Sequence, residues 1–244
     1  MKITLLGTGD APSTPMIGCK CPACMDARNG GRSNRSRFSV LIEGDGHVLI
    51  DTSPDMRAQL LSANVSTVNG VIWTHPHYDH YAGFGDFYRA QRNVDVYGIK
   101  ETLDSILDTF YFMSYKRHDM MLYEPFSLIG LEFTLLKVTH PPFENAVGVR
   151  VSNGDKTVII TGDMNKEIPE KSLKMMGGAD LLIADALAPT FKLRKHMNAA
   201  QALALGKKLR AKQTVFTHVG HFYGPHDTAS KKWPLGYDGM VFEF

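Results

Sequence analysis

The sequence predicts an α/β fold, a four-layer αββα sandwich with metal ions at one edge between two sheets. Three observations carry this expectation. Short apolar runs of strand type alternate with amphipathic helical stretches along the whole chain. Several of these runs end on threonine and then a metal-capable residue: Trp73-Thr74-His75, Val138-Thr139-His140 and Phe216-Thr217-His218, with Ile160-Thr161-Gly162-Asp163 the same pattern around an inserted glycine. One run opens onto His75-Pro76-His77-Tyr78-Asp79-His80, four metal-capable side chains within six residues. Core strands sharing one sheet edge would bring these groups together.

Taken in order, residues 2–6 read as a strand and Gly7-Thr8-Gly9-Asp10 as a tight turn, since no phosphate-loop continuation follows. Cys19, Cys21 and Cys24 lie on a loop with Pro12, Pro15 and Gly18. Arg28, Arg32, Arg35 and Arg37 follow with no acid among them and read as an anion-steering patch or, more simply, a solvated basic face. Residues 37–43 and 47–50 form a hairpin around Gly44-Asp45-Gly46, the second strand ending on Asp51. Residues 54–63 have helical spacing with Ser53 as cap. The strand 71–74 delivers the histidine stretch. Helix 83–92, strand 94–97 and helix 101–112 come next. Residues 114–123 read as a lid, a dimer contact or a surface loop with core anchors. Strand 131–139 ends on His140. Residues 146–151 and 157–161 pair around Asn153-Gly154 and lead to Asp163. Helix 169–176 closes on Gly177-Gly178, and strand 181–184 ends on Asp185. Helix 198–210 is capped by Asn198, strand 215–217 ends on His218, and 240–244 is the last strand.

The 244 residues are expected to form a single domain, residues 1–244, with a zinc-binding loop at 18–25. A net charge of +2 is too small to argue for nucleic-acid binding. No apolar run is long enough to span a membrane, and the N-terminal run is too short for a signal peptide, so a cytoplasmic protein is expected. An odd cysteine count argues against a disulfide framework. The spacing C-x-C-x-x-C lacks one ligand of a tetrahedral zinc site; three unmetallated thiols is the alternative.

In the central stretch, Pro76 keeps His75 extended, so His75 and His77, two apart, can face one side. Asp79 and His80 follow on the next turn and can face a second point, a spacing that suits two adjacent ions. His75-Pro76-His77-Tyr78-Asp79-His80 resembles the H-x-H-x-D-H motif of the metallo-β-lactamase superfamily. His140, Asp163 and His218 match that superfamily's remaining ligands in order, and Asp51 its first acidic motif. The cysteine cluster, Thr217-His218-Val219-Gly220-His221 and Tyr237-Asp238-Gly239-Met240 further resemble the phosphodiesterases of the phosphonate-degradation branch.

The resemblance implies the following roles. His75, His77 and His140 hold one divalent ion (Mn²⁺, Zn²⁺ or Fe²⁺), Asp79, His80 and His218 hold the other, and Asp163 bridges them. A water between the ions, deprotonated near neutral pH, attacks phosphorus. Asp51 fixes the tautomer of a ligand imidazole. Cys19, Cys21, Cys24 and His221 hold a structural Zn²⁺. His196 and Asp79 are the candidate catalytic residues, with His196 binding phosphate or protonating the leaving oxygen. The substrate implied is a small cyclic phosphate or phosphodiester. Alternatives are a tRNA 3′-processing nuclease, for which neither a long gripping insertion nor a basic balance is seen, and a non-hydrolytic factor similar to the pyrroloquinoline-quinone biosynthesis B protein, which shares the cysteine cluster but has altered active-site ligands. Lactam or thioester hydrolysis stays open, because the ligands alone do not choose between acyl and phosphoryl groups.

Overall fold

The computed structural model describes residues 1–244. In chain order its strands are β1 (Lys2–Gly7), β2 (Ser39–Glu43), β3 (His47–Ile50), β4 (Gly70–Ile72), β5 (Val94–Gly98), β6 (Tyr115–Asp119), β7 (Pro125–Leu128), β8 (Leu131–Lys137), β9 (Val147–Ser152), β10 (Thr157–Ile160), β11 (Leu181–Asp185), β12 (Gln213–Thr217) and β13 (Met240–Glu243). The helices are α1 (Pro22–Arg28), α2 (Met56–Ser62), α3 (Tyr78–Tyr81), α4 (Phe87–Ala90), α5 (Lys100–Leu107), α6 (Glu170–Met176), α7 (Ala199–Leu209) and α8 (His226–Ala229). A seven-stranded sheet runs β13-β1-β2-β3-β4-β5-β6, and a six-stranded sheet runs β12-β11-β10-β9-β8-β7.

Side-chain alternation makes the layers. On β2 and β3, Val40, Ile42, Val48 and Ile50 point into a core shared with Phe133, Leu135, Val149, Val158 and Ile183 of the other sheet. Their neighbours Leu41 and Leu49 point the other way, against Met56 of α2 and, through Val71 and Val96, against Leu103 and Ile106 of α5. The outer face of the second sheet packs Ile159, Leu182 and Phe216 on Ala202, Leu205 and Leu209 of α7. The result is helix, sheet, sheet, helix, as the sequence predicts. No helix is long and apolar enough to cross a membrane.

Strand direction gathers the site. Strands β3 to β6 are parallel to one another, as are β10 to β12. Strand β8 is antiparallel to β9, which is antiparallel to β10, so β8 also points the same way as β10. The carboxyl ends of β3, β4, β8, β10, β11 and β12 therefore supply Asp51, the histidine stretch, His140, Asp163, Asp185 and His218.

Four local expectations need correction. The cysteine segment is loop only to Cys21; Pro22 opens α1, where a missing N–H costs nothing, so Cys24 sits on a helix. Helix 83–92 is instead a 3₁₀ turn over Ala82–Asp86 followed by the single turn α4. Gly83 lies so close to the Ser53 carbonyl that a Cβ there would sit 1.9 Å from it, which fixes the chain path. Ser53 does not cap α2; its hydroxyl accepts from the N–H of Asp55 at 3.3 Å in the preceding turn. Residues 115–119 form the edge strand β6, neither lid nor loop, with His118 bonded to Asp95 at 2.6 Å and stacked on Tyr97. Asn198 does cap α7, in a reciprocal capping box with Gln201.

Candidate metal centre

The carboxyl ends of the strands bring seven side chains to one point. Nε2 of His75 and Nε2 of His140 lie 2.9 and 3.0 Å from Nδ1 of His77. Oδ2 of Asp163 is 3.7 Å from both Nε2 atoms. Across Asp163, its Oδ1 lies 3.4 Å from Nε2 of His80 and its Oδ2 3.3 Å from Nε2 of His218. Oδ2 of Asp79 completes this second group, 3.4 Å from His80 and 3.7 Å from His218. Asp163 thus faces both groups.

The surrounding chain sets the tautomers. The Thr74 hydroxyl donates to Oδ2 of Asp51 at 2.7 Å, so its lone pair is left for the Nδ1–H of His75 at 3.0 Å. Nδ1 of His140 donates to the Lys195 carbonyl at 3.1 Å. Both Nε2 atoms are then lone pairs aimed at the same place, where the single Nδ1–H of His77 can satisfy only one of them. Asp51 also accepts from Nδ1 of His80 at 2.7 Å and from the Thr74 N–H at 2.8 Å. The threonine of the strand-end pattern therefore links Asp51 to His75, which is the physical reason for its place there. Asp51 and His218 both take left-handed backbone conformations, φ 61° and 53°, that bend the chain sharply off β3 and β12.

The electrostatics divide the centre in two. Burial pushes His140 down to about 4 and His75 well below its ordinary value, so these nitrogens are neutral. Burial acts on His80 and His218 in the same sense, but Asp163 and Asp79 outweigh it; His80 rises well above its ordinary value and His218 to about 9. Burial would raise Asp163, yet His218 and His80 hold its carboxyl well below the usual range.

These residues fit divalent cations. Nε2 of His80, Oδ1 of Asp163 and both ring nitrogens of His218 are buried without a hydrogen-bond partner. Buried polar atoms left without partners on two imidazoles and a shared carboxylate are costly unless a cation takes them. The nitrogen and hard-oxygen donors suit Zn²⁺, Mn²⁺ or Fe²⁺.

Asp185, which the motifs do not single out, is fully buried beside the centre. Its Oδ2 accepts from Nδ1 of His196 at 2.9 Å and from the Met164 N–H at 3.0 Å, while its Oδ1 lies 3.9 Å from Nδ1 of His218. A signal is present in the chain: β11 ends on an acid as β3 does. His196 stacks on His218, with ring centres 4.8 Å apart, and its Nδ1 lies 4.0 Å from Asp163.

A second cluster lies outside this centre. Sγ of Cys19, Cys21 and Cys24 are 3.3, 3.3 and 3.6 Å from Nδ1 of His221. A tetrahedral Zn²⁺ with bonds of about 2.3 Å to sulfur and about 2.0 Å to nitrogen would separate these atoms by roughly 3.5 Å. The arginine stretch is not a steering patch. Arg35 is buried, bonded to Thr8, Gly236 and Nδ1 of His226; Arg37 pairs with Asp55; Arg28 donates to carbonyls of the cysteine segment. His226 is therefore a packing partner of Arg35 and not a pocket residue. His47 sits half-exposed near Glu43.

The chain is similar to known proteins. A model of the beta-lactamase superfamily domain matches residues 47–219. The crystal structure of a diphosphatase from the PhnP family is similar over 100% of this chain and 97% of its own, with 30% identity and a TM-score of 0.89. Zn²⁺-bound PqqB from Methylobacterium extorquens shares the fold, with a TM-score of 0.84 at 21% identity, each chain covered fully. A probable metallo-hydrolase, YhfI of Bacillus subtilis, is 27% identical over 241 residues, 93% of this chain and 94% of that protein. An octanoyltransferase of Porphyromonas gingivalis is 25% identical over 98% of this chain, which spans about half (51%) of that longer protein. The chain has a metallo-hydrolase fold and belongs to the metallo-β-lactamase superfamily.

Proposed function

We propose that the protein is a dinuclear metal-dependent phosphodiesterase that opens a cyclic phosphate or cleaves a small phosphodiester. The observation that carries this reading is the pair of ligand groups sharing Asp163, with His196 and Asp185 beside them. His75, His77 and His140 would hold one ion, Asp79, His80 and His218 the other, with Asp163 between. Bound there, two ions supply an acidified water and positive charge for the phosphoryl oxygens.

The chain's own groups do the rest. Asp51 and Thr74 lock His80 and His75 in the tautomers that present Nε2. Asp185 accepts from Nδ1 of His196, which leaves Nε2 of that ring as the atom that exchanges a proton. From there His196 contacts a phosphoryl oxygen or delivers a proton to the leaving alkoxide. Asp79, beside His80 and His218, would help hold the ion and orient the water that attacks. The cysteine cluster with His221 would hold a structural Zn²⁺ that ties the N-terminal segment to the turn just after His218. The small net charge favours a small phosphorylated substrate over tRNA.

The deciding experiment is a substrate screen of the purified metal-loaded protein against 2′,3′-cyclic nucleotides, bis(p-nitrophenyl) phosphate, a lactam and a thioester. Turnover of the phosphodiesters alone is expected. Turnover of the thioester or lactam without the phosphodiesters would replace this reading with acyl chemistry, and inactivity on all four would favour a non-hydrolytic pathway factor.

A further inference from the structure

We propose that Phe191 and Phe222 form a ring-binding subsite beside the metal centre, so that the substrate is a nucleotide and not a bare phosphosugar; this rests on the phosphodiesterase reading above. Both rings are large, apolar and left in solvent, Phe191 50% exposed and Phe222 45%. Such exposure is unusual for phenylalanine and is informative when two rings meet. Their centroids are 5.2 Å apart with ring planes at 75°, an open corner with one flat face and one edge.

The corner is built from the two segments that carry centre residues. Phe191 lies on the loop between β11 and α7 that leads to His196. Phe222 follows His221 on the turn after His218. Each is held from behind. The Phe191 carbonyl accepts from the Asn198 side chain at 3.1 Å, and the Phe222 ring rests on that of His221, with centroids 4.5 Å apart. The loop main chain is pinned to the centre, where the Lys195 carbonyl accepts from His140 and the Arg194 carbonyl accepts from Asn165 at 3.1 Å.

Charge argues for the occupant. Lys192 and Arg194 are exposed and Lys195 half-buried, and none of their side chains makes an ion pair. An aromatic corner on a loop that carries three cations without ion pairs, and whose main chain bonds His140, is complementary to a planar ring joined to a phosphate. A nucleobase on the corner is expected to tighten binding about tenfold per stacked face.

The experiment compares adenosine 2′,3′-cyclic phosphate with methyl riboside 2′,3′-cyclic phosphate, which lacks the base, on the metal-loaded enzyme. The adenosine compound should have a KM about tenfold lower at similar kcat. Phe222→Ala and, away from the cysteine cluster, Phe191→Ala should erase that difference. Lys192→Ala and Arg194→Ala should raise KM for both compounds alike. Equal KM values in the wild type, or a base preference that survives in the Phe191→Ala/Phe222→Ala double variant, would overturn the subsite. Calorimetry with adenosine 3′-monophosphate and ribose 3-phosphate separates this from the catalytic reading. A base-dependent gain in affinity that the double variant loses supports the subsite even where neither cyclic phosphate is cut, an outcome that counts against the phosphodiesterase alone; no base-dependent gain overturns it.

Discussion

The histidine–aspartate centre and the cysteine cluster are both convergent sets of metal-capable side chains, yet the chain builds them in opposite ways. The centre draws on the ends of strands from both sheets, and His75, His80 and His140 are fully buried. Its donors are aimed by hydrogen bonds from Asp51, Thr74 and Lys195, so its shape is set by the core. The cysteine cluster takes three ligands from six neighbouring residues and one from the far end of the chain. Cys19 and Cys21 are half-exposed, and His221 is met by the three sulfurs and the Phe222 ring. The difference teaches that an ion at the centre would occupy a site folding has already made, whereas an ion at the cysteines would itself hold two distant segments together. Variants at the two places should therefore separate chemistry from stability.

The largest effect is expected at Asp163. Asp163→Ala should reduce turnover below detection and lower the content of both active-site ions, measured by elemental analysis after dialysis, because the carboxylate faces both groups. His196→Ala should keep the ions and lose about 10²–10⁴-fold in rate on a substrate with a poor alkoxide leaving group. The loss should shrink on p-nitrophenyl esters, whose leaving oxygen needs no proton. Asp185→Asn should act in the same direction, since an amide can present its N–H to Nδ1 and invert the tautomer. Equal losses on both substrate types would leave His196 a phosphate contact only; a loss of metal would make it a ligand.

Cys19→Ala should spare the centre's metal and lower the melting temperature, on the order of 10 °C if a few kcal/mol are lost. An unchanged melting curve, or thiols that all titrate freely in the purified protein, would return the cysteines to three unmetallated thiols.

A pH series on metal-stripped protein sharpens the same contrast. His218 is raised from 6.5 to about 9 in the fold, burial opposing and Asp163 with Asp79 prevailing. A raised folded value means that the stabilisation is complete below the unfolded value and is lost as pH climbs through the folded one. The stripped protein should therefore lose melting temperature between about pH 6.5 and pH 9. Added Zn²⁺ or Mn²⁺ should stabilise more as pH rises over that window, because the ion displaces the protons held by His80 and His218. A metal-induced shift that is flat over this window would mean that the ions do not compete for those nitrogens.

Much of the candidate centre was legible in the sequence because the side chains it gathers are rare residue types at fixed offsets from apolar runs. Periodicity located the strands, and the shared strand direction that gathers their ends follows from crossovers that periodicity cannot show. Asp185 escaped because a lone acid after a strand looks like a turn residue until His196 is seen against it. Arg35 was misjudged for a related reason. Burial of Arg35 depends on Thr8, Gly236 and His226, partners that lie as far as 201 residues away in sequence. Edge strand β6 was missed because its exposed, charged pattern, Tyr115-Lys116-Arg117-His118-Asp119, is how an edge avoids further pairing and is not how a buried strand reads.

The smallest expected effect belongs to Arg28, and it separates the two regions most finely. This exposed side chain donates to the carbonyls of Cys19, Cys24 and Met16, so it clamps the cysteine segment at the last turn of α1 without touching a sulfur of the cluster. Neutral acceptors at the surface make each bond worth little, and the whole clamp should contribute about 0.5–1.5 kcal/mol. Arg28→Ala should therefore lower the melting temperature by only a few degrees. At saturating zinc the cysteine cluster should still fill, but a chelator should strip it faster, because the segment must now be ordered by the ion alone. Turnover by the centre should be unchanged, since no ligand of the centre contacts Arg28. If Arg28→Ala or Cys19→Ala cuts turnover along with the melting temperature, the cluster and the centre are one cooperative unit, and the division drawn between a site made by the core and a site made by its ion does not hold.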